Sequence, residues 1–315
     1  TCNWVNIKRY EFTSIPFIGP QKREILSELG IYNCRTFFEL HDEVILNLNL
    51  HISENRLTKL RAIEQSFSEN AHIRFNKSAY QSLSEYIVYD VETDLAQNTW
   101  MIAAIASDGK RFQTYELDED IERRKKMYKD FLNFIAEYSS PVMYSWSGSG
   151  FDNTSIKKGI LRYIPERYDD WSKLTQTDLI YNYKDRFVLQ NDFSWSIKNI
   201  SEFLGFKKFA SDDISYINGL YVGETYEKYK HRKTPFDLEA ILKYNMIDCE
   251  ALLVALVALE NNFREKAYQF FVEFNHAYHK KNAEITFYNK KVREHYNSVL
   301  ALKKKRKAVK NERSK

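Results

Sequence analysis

Proline and glycine are scarce in this chain of 315 residues, at 5 and 9, so long regular elements are favoured and there is little material for flexible linkers. Cysteine is scarcer still. Cys2, Cys34 and Cys249 are an odd number with no close pair, which excludes a disulfide framework or zinc spacing and fits free thiols in a reducing compartment. Long apolar runs are missing too: the longest, residues 251–259, falls far short of the roughly 20 residues a bilayer-spanning helix needs. No charged-then-apolar signal follows Thr1. The expectation is a soluble, cytoplasmic protein with no membrane partner. Because the chain starts without Met, it also reads as a processed product or a piece of something longer. What is present, 43% hydrophobic and 29% charged residues, suffices for one large core with accessories and excludes a disordered chain.

Lys and Arg total 47 against 43 Asp and Glu, a formal +4. That balance hides a split. Residues 263–315 hold 15 basic and 5 acidic side chains, a net +10, which leaves the body at −6. The last stretch, 303–315 (KKKRKAVKNERSK), has the composition of a solvated arm that repels itself and seeks polyanions, or simply of a solubilising tail.

Four zones follow from the patterning: a helical head over 1–70, a short connector, an α/β body over 85–262, and a helical extension over 263–315 that ends in the basic tail. In the body, residues 86–93 (YIVYDVET), 99–107 and 111–117 are rich in β-branched and aromatic residues and are separated by turn signals such as Asp108-Gly109, a strand meander. Met127, Phe131, Phe134, Ile135 and Tyr138 give 118–138 one apolar helical face. A strand over 141–146 follows, then helices around 153–163, 197–204 and 237–259. This order predicts an α/β fold with a mixed sheet.

The residues that could carry chemistry are acids. Asp90 and Glu92 stand two apart in an otherwise apolar strand, so both project from one face. Like charges there are tolerated when a cation holds them, and hard oxygen ligands suit Mg²⁺ or Mn²⁺ rather than zinc; acids at a strand end are the bland alternative. Asp152 follows the 141–146 strand after a stretch containing Gly148 and Gly150, either as an acid at a strand's carboxyl end or as a helix N-cap. Tyr244 and Asp248, at i and i+4 of a helix, can address one small volume, or be a core aromatic and an exposed charge.

Together these motifs resemble the DEDDy 3′→5′ exonucleases of the ribonuclease H-like superfamily. Asp90 and Glu92 match the first motif, Phe151-Asp152 the second and Tyr244-x-x-x-Asp248 the third. Within that group the chain is most similar to the predicted nucleases found beside RecB-like nucleases, through the segment from Ser194-Trp195-Ser196-Ile197-Lys198 to Leu204-Gly205-Phe206. The resemblance implies a ribonuclease H-like mixed sheet flanked by helices, and two divalent ions, Mg²⁺ or Mn²⁺. One would be held by Asp90, Glu92 and Asp248, the other by Asp90 and, through water, Asp152. It further implies release of nucleoside 5′-monophosphates, with Tyr244 orienting the attacking water and Asp178 supporting the site or serving as a turn acid. Lys198 would touch a phosphate, or be a solvated helix charge. The sequence departs from the pattern at Ser147, where the family usually carries Asn.

The head resembles a helix-hairpin-helix unit through Ile15-Pro16-Phe17-Ile18-Gly19-Pro20 and Leu29-Gly30-Ile31. Such a unit implies DNA contact through Gly19, Lys22 and Arg23, and residues 33–67 read as further helices forming a second, degenerate hairpin unit. Phe17 takes the place of the usual first glycine. In the extension, aromatics alternate with lysines, mostly as core; His276 and His279 read as structural. Nucleic acid is the expected partner, DNA preferred over RNA. An RNA exonuclease and a binding module without turnover are the alternatives.

Overall fold

A computed structural model describes residues 12, 17–48, 50–69, 71–76, 80, 85–147, 150–189, 194–210, 214–260 and 271–273, with 294, 297, 298 and 301 beyond. Along the chain run helices α1 (Pro20–Glu28), α2 (Cys34–Phe38), α3 (Asp42–Asn47) and α4 (Glu54–Glu69), then strands β1 (His72–Arg74), β2 (Tyr86–Thr93), β3 (Thr99–Ala106) and β4 (Arg111–Tyr115). There follow α5 (Ile121–Ile135), β5 (Val142–Ser145), α6 (Asp152–Tyr163), α7 (Tyr168–Ser172), β6 (Thr175–Asp178), α8 (Leu179–Lys184) and β7 (Phe187–Val188). The last elements are α9 (Ile197–Phe203), α10 (Gly219–Arg232), α11 (Leu238–Glu260) and β8 (Phe271–Glu273). The chain divides into two compact units, Thr1–Lys77 with Arg186–Phe193 and Phe271–Lys315, and Ser78–Asp185 with Ser194–Phe270.

The first unit is built around α1 to α4. α1 ends as its sequence predicts: Gly30 takes φ 79°, its N–H bonds Ser27 O, and Ile31 N–H reaches back to Leu26 O, a glycine stop clasped by the buried Ile31. Arg61, on α4, is buried and satisfied by the carbonyls of Phe38 and Leu40 and by Asp42 and Glu64. The unit is not purely helical, because β7, β1 and β8 form a three-stranded sheet. The expected helical extension is therefore corrected at Phe271–Glu273, where an aromatic and β-branched run pairs in parallel with His72–Arg74. The basic tail and the two extension histidines lie outside the described residues.

The second unit is a five-stranded mixed sheet in the order β4-β3-β2-β5-β6. Strands β4, β3 and β2 are antiparallel; β5 and β6 run parallel to β2. On one face Ile87, Tyr89 and Val91 of β2 pack with α5 and α6 through Met127, Phe131, Ile156 and Ile160. Gly159 allows the close approach of these two helices, since a Cβ there would lie 1.9 Å from the Tyr128 hydroxyl. On the other face Met101 packs with α10 and α11 through Val222, Tyr226, Ile241 and Ile247. The sheet is thus sandwiched between helices.

A buried ion pair joins these layers. Arg124 bonds Glu116, the Thr99 carbonyl and the Tyr226 hydroxyl, with the Arg124 and Glu116 side chains 3% and 1% exposed. Removing one partner strands the other's charge, so Arg124→Met is expected to cost about 3–5 kcal/mol. Urea unfolding measures this; a loss below about 1 kcal/mol would contradict it.

Candidate active site

β2 lies in the middle of the sheet, and its alternation decides where the acids go. Asp90 pairs with Ala103 and Glu92 with Met101, so both carboxylates stand on the face covered by α11. The ladder shifts register after Glu92, ending regular pairing just beyond the second acid. α11 supplies Asp248, and one turn earlier Tyr244, whose hydroxyl bonds the Asp248 carboxylate. One carboxylate oxygen from each of Asp90, Glu92 and Asp248 lies within 4.8 Å of the others. Asp152 stands beside this trio, close enough for its charge to be felt by Glu92 and for Asp90 and Asp248 to act on it.

Asp152 is the first residue of α6; Phe151 holds the N-cap position without a side-chain bond, so the N-cap alternative for Asp152 does not hold. The residues that leave β5 are held at two points. Trp146 Nε1 donates to the Trp195 carbonyl at 2.7 Å, and Ser147 N–H donates to Asp178 Oδ1 at 2.8 Å. The same Asp178 oxygen caps α8 through Ile180 N–H, so this acid is both a turn acid and an anchor for Ser147. Ser147 takes φ 61°, a left-handed conformation in which Asn is the favoured non-glycine residue. Ser147→Asn is therefore expected to raise the melting temperature by a few degrees; a lower melting temperature in a thermal scan would count against that reading.

The electrostatics of the cluster are those of crowded carboxylates withdrawn from water. Glu92, Asp152 and Asp248 are 6%, 5% and 7% exposed, and Asp90 is half-buried. Among the described residues none of the four forms an ion pair with Lys or Arg. Desolvation pushes Asp90 up to about 7, opposed by a hydrogen bond from Asn245. Glu92 is raised by burial and then by the charges of Asp90, Asp248 and Asp152. Asp152 is raised by burial, Asp90, Asp178 and Asp248. Asp248 is raised by burial and Asp90, partly offset by Tyr244 and by Lys198. Burial and the three neighbouring acids also raise Tyr244, which keeps its proton at neutral pH.

This donor set fits a hard divalent cation: clustered carboxylate oxygens, withdrawn from water and repelling one another, are what such an ion neutralises. Lys198, near the start of α9, has its ammonium 5.7 Å from the Phe209 ring centroid and its charge is felt at Asp248. α9 ends in a second glycine stop, with Gly205 at φ 91° and Phe206 N–H on Ser201 O, which accounts for the Leu204-Gly205-Phe206 segment. One residue escaped the sequence reading. Asn245, between Tyr244 and Asp248, is fully buried and donates to Asp90 Oδ2 at 2.8 Å; an amide inside an otherwise apolar helix was its signal.

Gly19, Lys22 and Arg23 belong to the first unit, apart from the acids in the fold's division. Gly19 is the N-cap of α1 with Pro20 following, and space beside its Cα is open. Phe17 adopts φ 73°, the left-handed geometry that a hairpin glycine would supply. Lys22 is lowered by burial and by Arg56, whose guanidinium lies 5.3 Å from the Phe17 ring centroid. Arg23 turns its Nε onto the Ile18 carbonyl at 3.0 Å.

Among the described residues no helix is long and apolar enough to cross a membrane. No curated protein matches the sequence. Among solved structures, a family B DNA polymerase from the hyperthermophilic archaeon Pyrobaculum calidifontis is similar at a TM-score of 0.43 and 16% identity, over 60% of this chain and 28% of that one. The RNase_H_2 family of the RNase H superfamily matches residues 87–260, more than half of the sequence, from the second residue of β2 to the end of α11. The chain belongs to the RNase H superfamily.

Proposed function

We propose that the chain is a metal-dependent 3′→5′ exonuclease of the DEDDy type, hydrolysing terminal phosphodiester bonds of DNA by a two-metal mechanism and releasing nucleoside 5′-monophosphates. The observation that carries the reading is the convergence of Asp90, Glu92 and Asp248 oxygens within 4.8 Å on one face of the sheet, with Asp152 alongside and no basic partner among the described residues. Asp90, Glu92 and Asp248 would hold one ion, and Asp90 with Asp152 the second. Bound there, divalent ions lower the pKa of an attacking water and steady the leaving 3′ oxygen. Tyr244, held on Asp248 and protonated at neutral pH, acts by donating or accepting a hydrogen bond that orients water, not as a base. Lys198 neutralises a phosphate oxygen near Asp248.

The first unit supports a preference for DNA. We read residues 1–70 as a helix-hairpin-helix-like DNA-binding domain in which Gly19, Lys22 and Arg23 grip a phosphate. The exonuclease domain is 85–262, followed by an extension over 263–315 whose basic tail adds sequence-independent affinity.

The test is incubation of the purified chain with 3′- or 5′-labelled single- and double-stranded DNA and RNA in Mg²⁺, Mn²⁺ or EDTA. Mononucleotides released first from the 3′ end of DNA, and nothing in EDTA, are expected. Internal cuts or 5′ release would refute the direction, faster loss of RNA would refute the polymer, and binding without turnover would make the chain a nucleic-acid-binding module.

A further inference from the structure

We infer that Asn245 is a positioning residue for Asp90, and that Gln113 sets its orientation; the inference rests on the metal-centre reading above. Asp90 stands at the focus of the cluster, since its charge raises Glu92, Asp152 and Asp248 alike. A short carboxylate at the focus of such repulsion turns away unless something holds it. Asn245 Nδ2 does so, donating to Asp90 Oδ2 at 2.8 Å.

The direction of that bond is built in from β4. Gln113 Nε2 donates to the Leu242 carbonyl at 2.8 Å, a backbone acceptor that admits only the NH₂ end of the amide. The same NH₂ group meets Asn245 Oδ1 at 3.4 Å, so the Asn245 oxygen faces Gln113 and its own NH₂ must face Asp90. Asn245 is fully buried, and both ends of its amide are used. A carbonyl of α11 thus fixes one amide, which fixes the next, which fixes the acid on β2.

Two substitutions separate this relay from packing and from plain charge. Asn245→Leu keeps the branched shape and removes the donor. Gln113→Glu keeps the shape and adds a negative charge, which by Coulomb attraction alone tightens cation binding; by the relay it loosens it, because a carboxylate accepts from the Asn245 NH₂ and turns it away from Asp90. Mn²⁺ binding to the full chain is measured by calorimetry, with the melting temperature in EDTA as the control for folding. Both variants are expected to bind Mn²⁺ about tenfold more weakly than wild type while melting in EDTA within a few degrees of it. If Asn245→Leu does not fold, Gln113→Glu alone decides. An affinity in Gln113→Glu equal to or tighter than wild type overturns the positioning role and leaves the metal centre standing; a wild-type chain that takes up no Mn²⁺ overturns both.

Discussion

Asp90→Asn and Asp248→Asn are each expected to lower the nuclease rate by about a thousandfold or more and at the same time to raise the melting temperature of the metal-free protein at pH 8. The two effects have one cause. Each substitution removes a formal charge from a set of acids that raise one another's pKa, which relieves repulsion when no cation is present and removes a ligand when one is. An Asp or Glu retained for stability behaves in the opposite way, losing melting temperature when neutralised. Rates on labelled DNA and thermal scans in EDTA check both halves. A variant that melts lower in EDTA yet turns over at the wild-type rate would show that these acids are structural.

The second large effect concerns pH. For a carboxyl whose folded pKa lies above its unfolded value, the native state binds more protons across the interval between them, so stability falls as pH rises through it. Asp90, moved from 3.8 to about 7, sets that window at about pH 4 to 7, and Glu92, Asp152 and Asp248 shift in the same direction. The metal-free protein is therefore expected to lose stability from pH 4 to 7 through this cluster. Mg²⁺ or Mn²⁺ should restore it, by about 2.7 kcal/mol at 100 times the dissociation constant, or on the order of 5–10 °C. The gain is expected at pH 8 and to shrink at pH 5, where protons compete for the same oxygens. Melting temperatures with EDTA or Mn²⁺ at both pH values measure it; an equal gain at the two would place the ion elsewhere.

Much of this site could be read from the chain because its geometry is local. Asp90 and Glu92 share a face by the two-residue period of a strand, and Tyr244 and Asp248 by one helical turn, so neither pairing needed coordinates. The strands and helices of the meander also stand within a few residues of the expected bounds, α5 for example being Ile121–Ile135 inside the expected 118–138. What escaped depends on contacts distant in sequence. Asn245 matters because Gln113, 132 positions away, orients it. β6, Thr175-Gln176-Thr177-Asp178, is a polar edge strand with no apolar alternation. α10 buries only Val222, Gly223 and Tyr226, too narrow a stripe to announce a helix through two glycines. The small sheet of the first unit joins segments from three regions of the chain, a pairing that no local pattern encodes. Ser147 read as a departure from the family pattern, and the structure gives its meaning: a residue held left-handed by Asp178.

The most direct test is anomalous scattering from crystals of the full chain grown with Mn²⁺. The account predicts a manganese peak bonded to carboxylate oxygens of Asp90, Glu92 and Asp248. Saturating Mn²⁺ with no peak among these three acids, or with the metal bound only at other residues, would contradict it.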